Sequence, residues 1–366
     1  MRGSAPGRLD LLGGVADYSG ALVLEMPTRQ GTEVVAHPDV AFVVGPATFS
    51  RTGFERLACL SFEEIRRELA GCPRWTHYVI GVAMVLVRHG VIEPPMARLE
   101  ITSDLPASVG VASSAALEVA TVRALGAGAI DPLHMAALCQ EAENHVVGAP
   151  CGIMDQVAVA LGTVGAVLPI LCRPASVADP VVVPADLEIV GWPTGSPHDV
   201  GGVHYRRARA AAFMGKRVVE DATGREWSWV SELPRAAVDE LPENLDGGTF
   251  LERWGATDDD VTAVRSDETY PVRAATTFGV EEHVRSGSAM AALADGEPER
   301  LGPLMAASQD GYDTMGLGHP AATAIVKEAL ARPGVYGARS SGGGCGGTIA
   351  VVCARGALDD MDALIR

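Results

Sequence analysis

Four short segments carry residues whose types and spacing could do chemistry. In APGRLDLLGGVADYSG, from Ala5 to Gly20, Arg8 and Asp17 stand inside an apolar, glycine-rich run where an idle charge would be costly. A structural ion pair at a domain edge would explain them equally well. The segment Asp104–Glu118, DLPASVGVASSAALE, is built of small residues and opens a helix. Free amides at a helix start take anions, and the hydroxyls of Ser113 and Ser114 can hold phosphate oxygens or a magnesium ion; a tightly packed helix start is the plainer alternative. No GxxxxGK[ST] pattern occurs, which excludes an ordinary P-loop. In GAPCGIMDQV, Gly148–Val157, Asp155 begins an apolar helix and Glu143 lies upstream; alone, Asp155 would read as a helix cap. Finally, Ser340–Thr348 reads SSGGGCGGT, a loop that suits close approach of a ligand or of another backbone.

These segments need a scaffold, and the chain is long enough to supply one. Its 366 residues are 48% hydrophobic and 20% charged, which excludes a disordered or fibrous protein and suggests two domains. The net charge of −17 makes nucleic acid and anionic membranes poor partners. Only Lys216 and Lys327 are lysines, so cationic work falls to arginine, metal ions and helix dipoles. The seven cysteines (59, 72, 139, 151, 172, 345 and 353) form no CxxC pair, which suggests reduced thiols in a cytoplasm. No apolar leader opens the chain, and the longest uncharged run, Gln156–Cys172, is short for a membrane span and broken by Gly162, Gly165 and Pro169. It reads as helix, turn and strand.

The pattern predicts strands at Ala21–Met26, Thr32–Ala36, Ala41–Val44, Ala97–Thr102, Leu187–Trp192 and Thr348–Cys353. Helices are predicted at Trp75–Gly90, from the Ser113 region to Leu125, at Pro132–Val146, Gly152–Leu161, Tyr205–Val219, Val280–Leu293 and Ala321–Ala331. Residues 221–270 read as an acidic loop. Mixed strands and helices without regular βαβ spacing argue for an α+β protein, with a change of texture near residue 190.

The four segments together resemble the motifs of the GHMP kinases, galactokinase branch. APGRLDLLGGVADYSG is similar to APGRxNLIGEHTDYxxG, PASVGVASSAALE to PxGxGLSSSAALE, and GGGCGG to GAGFGG; GAPCGIMDQ is nearly unaltered. Within the branch, GRLDLLGGVADYSGALVLEMP, HDVGGVHY…AAFMGK at 198–216, LPENLDGGTFLERW and MGLGHP resemble the kinase portion of the L-arabinokinases. The resemblance implies a two-domain α+β fold, a ribosomal-S5-domain-2-like N-terminal domain (1–190) and a ferredoxin-like C-terminal domain (191–366). It implies ATP-dependent phosphorylation of a sugar's anomeric hydroxyl, with ATP and Mg²⁺ as cofactors. Beside it, the cysteines and the charge lead us to expect a cytoplasmic protein, monomer or homodimer, with neither nucleic acid nor membrane as partner. By the same resemblance Asp155 is the catalytic carboxylate and Arg8 its cationic partner. Ser114 and Glu143 hold the metal. Ser108, Gly110, Ala112, Ser113, Ser114 and Ala115 cradle phosphates, while Trp75 and Tyr78 line the adenine pocket. Gly14, Val15, Asp17, Tyr18, Gly152, His204, Tyr205 and Gly344 face the sugar.

Departures bear on the acceptor. Gly14 and Val15 replace the Glu and His that reach C6 of galactose in the branch, which favours a pentose such as L-arabinose. Ala112 replaces a serine, Asn144 and Gln309 stand where His is usual, and Cys345 replaces Phe. A galactokinase, a uronate kinase and a sugar sensor without turnover are the rival readings; intact Arg8, Glu143 and Asp155 argue against the sensor. His198 and His204 could suggest metal, but no third ligand is near in sequence, and a loop contact to sugar is the preferred reading.

Overall fold

The computed structural model describes residues 1–196, 202–361 and 364–366. Of the HDVGGVHY stretch, His198 therefore lies outside the described residues. Two compact units are built from interleaved segments. The first comprises Met1–Arg8, Pro27–Ala107 and Ala112–Leu161; the second comprises Leu9–Met26, Ser108–Val111 and Gly162–Arg366. A single cut at 190 does not reproduce this division, because residue 190 sits inside the strand Leu187–Pro193, which pairs along its whole length with Thr348–Ala354. No described helix is long and apolar enough to cross a membrane.

In the first unit, residues 32–38 pair antiparallel with the strand Ala97–Ser103, which pairs parallel with Phe42–Val44, itself in a hairpin with Ala47–Phe49. Helices Arg74–Arg88, Ser113–Ala124, Pro132–Glu141 and Met154–Leu161 pack together. The first of these buries Val79, Ile80 and the run Val82–Leu86, each side chain stabilising the fold by roughly 1.5–3 kcal/mol when fully buried. Its Gly81 permits close packing: a Cβ there would stand 3.1 Å from Val146. Val146 belongs to a π-helical turn, Ala142–Val147, that follows Pro132–Glu141. The sequence pattern reads both as one helix, because a single extra residue per turn does not disturb apolar periodicity. Such turns are frequent at functional sites, and this one carries Glu143.

The second unit contains a three-stranded antiparallel sheet, Val335–Ser340, Thr348–Ala354 and Leu187–Pro193 in that order. Helices Val203–Thr223, Val272–Asp295, Leu301–Met315 and Pro320–Leu330 accompany it. Its largest core joins Val15, Tyr18, Tyr205, Met214, Phe250, Phe278 and Tyr312. Residues 22–25 form a second ladder here with the strand Ala166–Leu171.

Most predicted elements are present; the differences have local causes. The two strands expected at Ala21–Met26 and Thr32–Ala36 are one strand, Leu22–Pro38, whose Pro27 falls between its ladders with Ala166–Leu171 and Ala97–Ser103. The helix Leu301–Met315 was hidden by Gly302, Pro303 and Gly311. Pro303 lies in the first turn, where its missing amide is no loss. Gly311 is required by packing, since a Cβ would meet the Phe278 ring at 2.5 Å. Residues 221–270 are also more ordered than an acidic loop, with helices Arg235–Asp239 and Gly247–Trp254 and a ladder of Leu245–Asp246 with Thr269–Tyr270.

At the centre of the second unit Asp10 and Arg339 form an ion pair at 2.8 Å, and both side chains are fully buried. Removing the carboxylate would leave a buried guanidinium uncompensated. Asp10→Ala is therefore expected to cost about 3–5 kcal/mol, read by chemical denaturation, with Arg339→Met in the Asp10→Ala background recovering part of the loss.

Candidate active site

In the first unit Arg8 and Asp155 meet. Arg8 Nε (2.9 Å) and Nη2 (2.6 Å) both donate to Asp155 Oδ1. The arginine is 3% exposed and the carboxylate 23%, so one charge is sealed and the other faces outward. Asp155 is the second residue of Met154–Leu161. The segment before it is held by Asn144, whose Oδ1 accepts from the Cys151 amide at 2.8 Å and whose Nδ2 donates to the Cys151 carbonyl. Gly152, beside Cys151, is buried.

Behind this pair lie two buried carboxyls. Gln156 Nε2 donates to Glu143 Oε2 (2.8 Å) and to Glu118 Oε2 (3.2 Å), and the Ser114 hydroxyl donates to Glu143. Burial, then the charge of Asp155, pushes the Glu143 carboxyl up to about 8; burial, then Glu143, pushes Glu118 well above the carboxylate range. Glu118 Oε1 has no hydrogen-bond partner. The helix Ser113–Ala124 opens without a side-chain cap, from Ala112 in the left-handed region, while Ser113 and Ser114 are half-buried and Ala115 is buried. Tyr78 is half-buried and feels both Glu143 and Glu118. Trp75 is 42% exposed and rests on the Gly45 turn.

The second unit assembles a different set. Asp17 is buried and its Oδ1 accepts from the Tyr18 amide at 2.6 Å. The rings of Tyr18 and Tyr205 meet edge to face at 5.9 Å. The Arg209 guanidinium lies 5.4 Å from the Tyr18 ring centre and is held by a buried bidentate pair with Asp259, at 3.0 and 2.8 Å. His204 is exposed at the start of Val203–Thr223. Gly14, Val15 and Gly344 are buried around Tyr312. Ser108 is exposed and Gly110 half-buried; between them the Val109 carbonyl accepts from the Thr348 hydroxyl at 2.7 Å. Gln309, where His was usual, accepts the Ser340 amide at 2.8 Å.

Comparison with known proteins decides the family. Residues 77–163 match the GHMP kinases N terminal domain and residues 289–363 the GHMP kinases C terminal domain. A galactokinase of Chloroflexus aggregans is 32% identical over 99% of this chain and 86% of its own length. The chain belongs to the GHMP kinases. An L-arabinokinase of Arabidopsis thaliana is 30% identical over 95% of this chain, which spans only 42% of that relative. A crystal structure of Lactococcus lactis galactokinase complexed with galactose superposes with a TM-score of 0.78 at 21% identity, covering 98% of this chain and 87% of that one, and supports the fold. With its relatives, this GHMP kinase is an ATP- and Mg²⁺-dependent sugar-1-kinase.

The residues present fit those cofactors. No group of three or more His, Cys, Asp or Glu side chains among the described residues could cage a metal. Magnesium suits that, because it is commonly held by one or two carboxylates together with substrate phosphates. Glu143, Ser114 and the orphaned Glu118 oxygen supply hard oxygen donors close to one another. Sequence reasoning missed Glu118, Gln156 and Asn144 as partners here; polar residues at positions that an apolar helix buries were the available signal.

The raised Glu143 carboxyl makes stability depend on pH. It is protonated in the folded state and ionised in the unfolded chain above the usual carboxylate range, so its stabilisation is present at low pH and lost as pH rises through about 8. Below that point the difference in unfolding free energy between wild type and Glu143→Gln, without nucleotide, should change by about 1.4 kcal/mol per pH unit. Parallel curves for the two proteins between pH 6 and 8 would refute this assignment.

Proposed function

We propose that this GHMP kinase phosphorylates the anomeric hydroxyl of a pyranose sugar, L-arabinose in preference to D-galactose. The observation that carries the reaction is the sealed Arg8 beneath the outward-facing Asp155. Arg8 fixes the Asp155 carboxylate through two donors to one oxygen, and that carboxylate orients the sugar hydroxyl and accepts its proton as the oxygen attacks the γ-phosphorus and ADP departs. Asp155 acts on the acceptor, and Arg8 also stabilises charge on the transferring group. The helix start Ala112–Ala115, with Ser108 and Gly110 ahead of it, offers backbone amides to phosphate oxygens. Glu143 and Ser114 hold Mg²⁺, which neutralises phosphate charge when bound. Tyr78 and Trp75 border the base. Asp17, Tyr18, Gly152, His204, Tyr205 and Gly344 contact the sugar, with Gly14 and Val15 beside its C5 substituent.

The pentose preference rests on Gly14 and Val15, which present no polar side chain. L-Arabinopyranose shares the ring stereochemistry of D-galactose and lacks C6, so it leaves nothing unpaired there. The second reading, a galactokinase, draws support from relatives of that name matched over most of their length. A cytoplasmic location accords with seven cysteines that form no disulfide.

An ADP-release assay with ATP and Mg²⁺ across L-arabinose, D-galactose, D-glucuronate, D-xylose and a no-sugar blank tests the reading. Turnover should be highest on L-arabinose and fall about 10²–10⁴-fold in Asp155→Asn. Higher kcat/KM on galactose would replace the pentose reading with the galactokinase one, and no sugar-dependent turnover at all would overturn both.

A further inference from the structure

The loop Gly13–Val15 is more than unsubstituted; its backbone donors are also spent. Its three successive amides are all consumed by protein acceptors. Gly13 N–H donates to Glu282 Oε1 (3.1 Å), Gly14 N–H to Asp10 Oδ1 (3.1 Å) and Val15 N–H to the Tyr312 hydroxyl (3.1 Å). No side chain at 13, 14 or 15 carries a polar atom.

Tyr312, on the helix Leu301–Met315, is the residue that enforces this. It is fully buried. Its hydroxyl donates to the Gly342 carbonyl at 2.5 Å while accepting from Val15. A Cβ on Gly14 would lie 1.9 Å from that hydroxyl oxygen, and a Cβ on Gly344 would lie 2.7 Å from the ring. Both glycines hold positive φ, +49° and +74°. The ring is therefore a wedge between the Gly13–Val15 loop and the glycine-rich loop, filling the volume a side chain at 14 would need. Arg339 over its face (4.9 Å) and Phe278 at its edge (5.4 Å) fix the wedge in place.

We propose that Tyr312 is a specificity-determining residue: with Gly14 it forms one steric and hydrogen-bonding unit that denies the sugar's C5 substituent any polar side chain or free amide donor. This rests on the sugar-kinase reading above. Position 14 cannot be converted to a polar contact alone, because the hydroxyl of Tyr312 already occupies its Cβ.

The test measures kcat/KM for L-arabinose, D-galactose and D-fucose, the 6-deoxy analogue of galactose, with wild type, Tyr312→Phe, Tyr312→Leu, Gly14→Glu and the Gly14→Glu/Tyr312→Leu double variant. Tyr312→Leu opens space at Gly14 and releases the Val15 amide, so the galactose-to-arabinose ratio should rise at least tenfold, through a lower KM for galactose. D-Fucose, lacking the C6 hydroxyl, should gain less. Gly14→Glu should lose activity on all sugars, and the double variant should exceed it on galactose. A wedge that only supported the fold would lower kcat on every sugar alike and leave the ratio unchanged, and that outcome in an active Tyr312→Leu or Tyr312→Phe protein overturns the proposal. Wild-type preference is read in the same assay. A wild type that favours galactose would sink the pentose reading, while the role of Tyr312 would still stand or fall on the change in ratio.

Discussion

One buried carboxylate organises the second unit. Asp10 sits in a site where neither of its oxygens meets water, and it is satisfied entirely by the protein. One oxygen takes the Gly14 amide; the other takes the Gly342 amide and the Arg339 guanidinium, while the Asp10 amide donates to Ser341 Oγ. A charge so placed is tolerable only with all its partners in position, because the desolvation penalty is repaid by geometry rather than by net charge balance. Two loops far apart in sequence are thus fixed to a single group, 332 residues apart in the case of Gly342. Arg339 is in turn less than fully satisfied, with Nε and Nη2 lacking hydrogen-bond partners, and it gains from the Tyr312 ring beneath it. Asp10, Arg339, Tyr312 and Glu282 form a polar centre inside a hydrophobic core, and the glycines they touch have no room for anything larger.

The first unit solves an opposite problem. Here carboxyls crowd together: Glu118, Glu143 and Asp155 influence one another, and Arg8 pairs with the last. The protein answers by protonating the inner groups and bridging them through one amide, that of Gln156. Such a cluster is poorly matched to itself and well matched to a divalent cation bearing phosphates. In a chain with a net charge of −17, Mg²⁺ is a source of positive charge for the phosphates of a nucleotide.

Much of this was legible in the sequence, and what was not has a common cause. The motif residues Arg8, Asp155, Glu143 and Ser114 are marked by polar identity within apolar or small-residue runs. The structure gathers them in one unit, although their roles rest on the proposal above. Asp17, Tyr18 and Tyr205 also lie together. Glu118 and Gln156 were signalled only by their polar type within apolar helices, and pattern could not show which way Glu118 turns, because the helix Ser113–Ala124 is buried nearly all round and its periodicity is faint. Nor could it show the packing of Tyr312 against Gly14 and Val15; Val15 and Tyr312 are 297 residues apart in sequence. The interleaving of the two units was hidden for the same reason. A long strand that leaves one ladder and enters another looks locally like two strands with a proline between them. His204 is the weakest of the sugar-facing assignments, since it is exposed where its neighbour Tyr205 is buried.

Backbone strain points to the same loops. Among the described residues only Ser108, Ala112 and Cys345 adopt positive φ without being glycine, at 57°, 55° and 57°. A side chain in that region costs on the order of 1–2 kcal/mol. Ser108 and Ala112 lie in the small-residue segment Asp104–Glu118 and Cys345 in the glycine-rich loop Ser340–Thr348, at positions where glycine would have been the relaxed choice. Glycine would also have multiplied the conformations of the unfolded and folded loop alike. A Cβ at Ala112 restricts the turn from which the helix amides of Ser113, Ser114 and Ala115 emerge. Cys345, whose amide donates to the Leu317 carbonyl at 2.7 Å, restricts the loop that Tyr312 wedges. Strain of this kind trades a little stability for fixed direction, and direction is what amides need if they are to meet phosphate oxygens without reorganising at the moment of transfer.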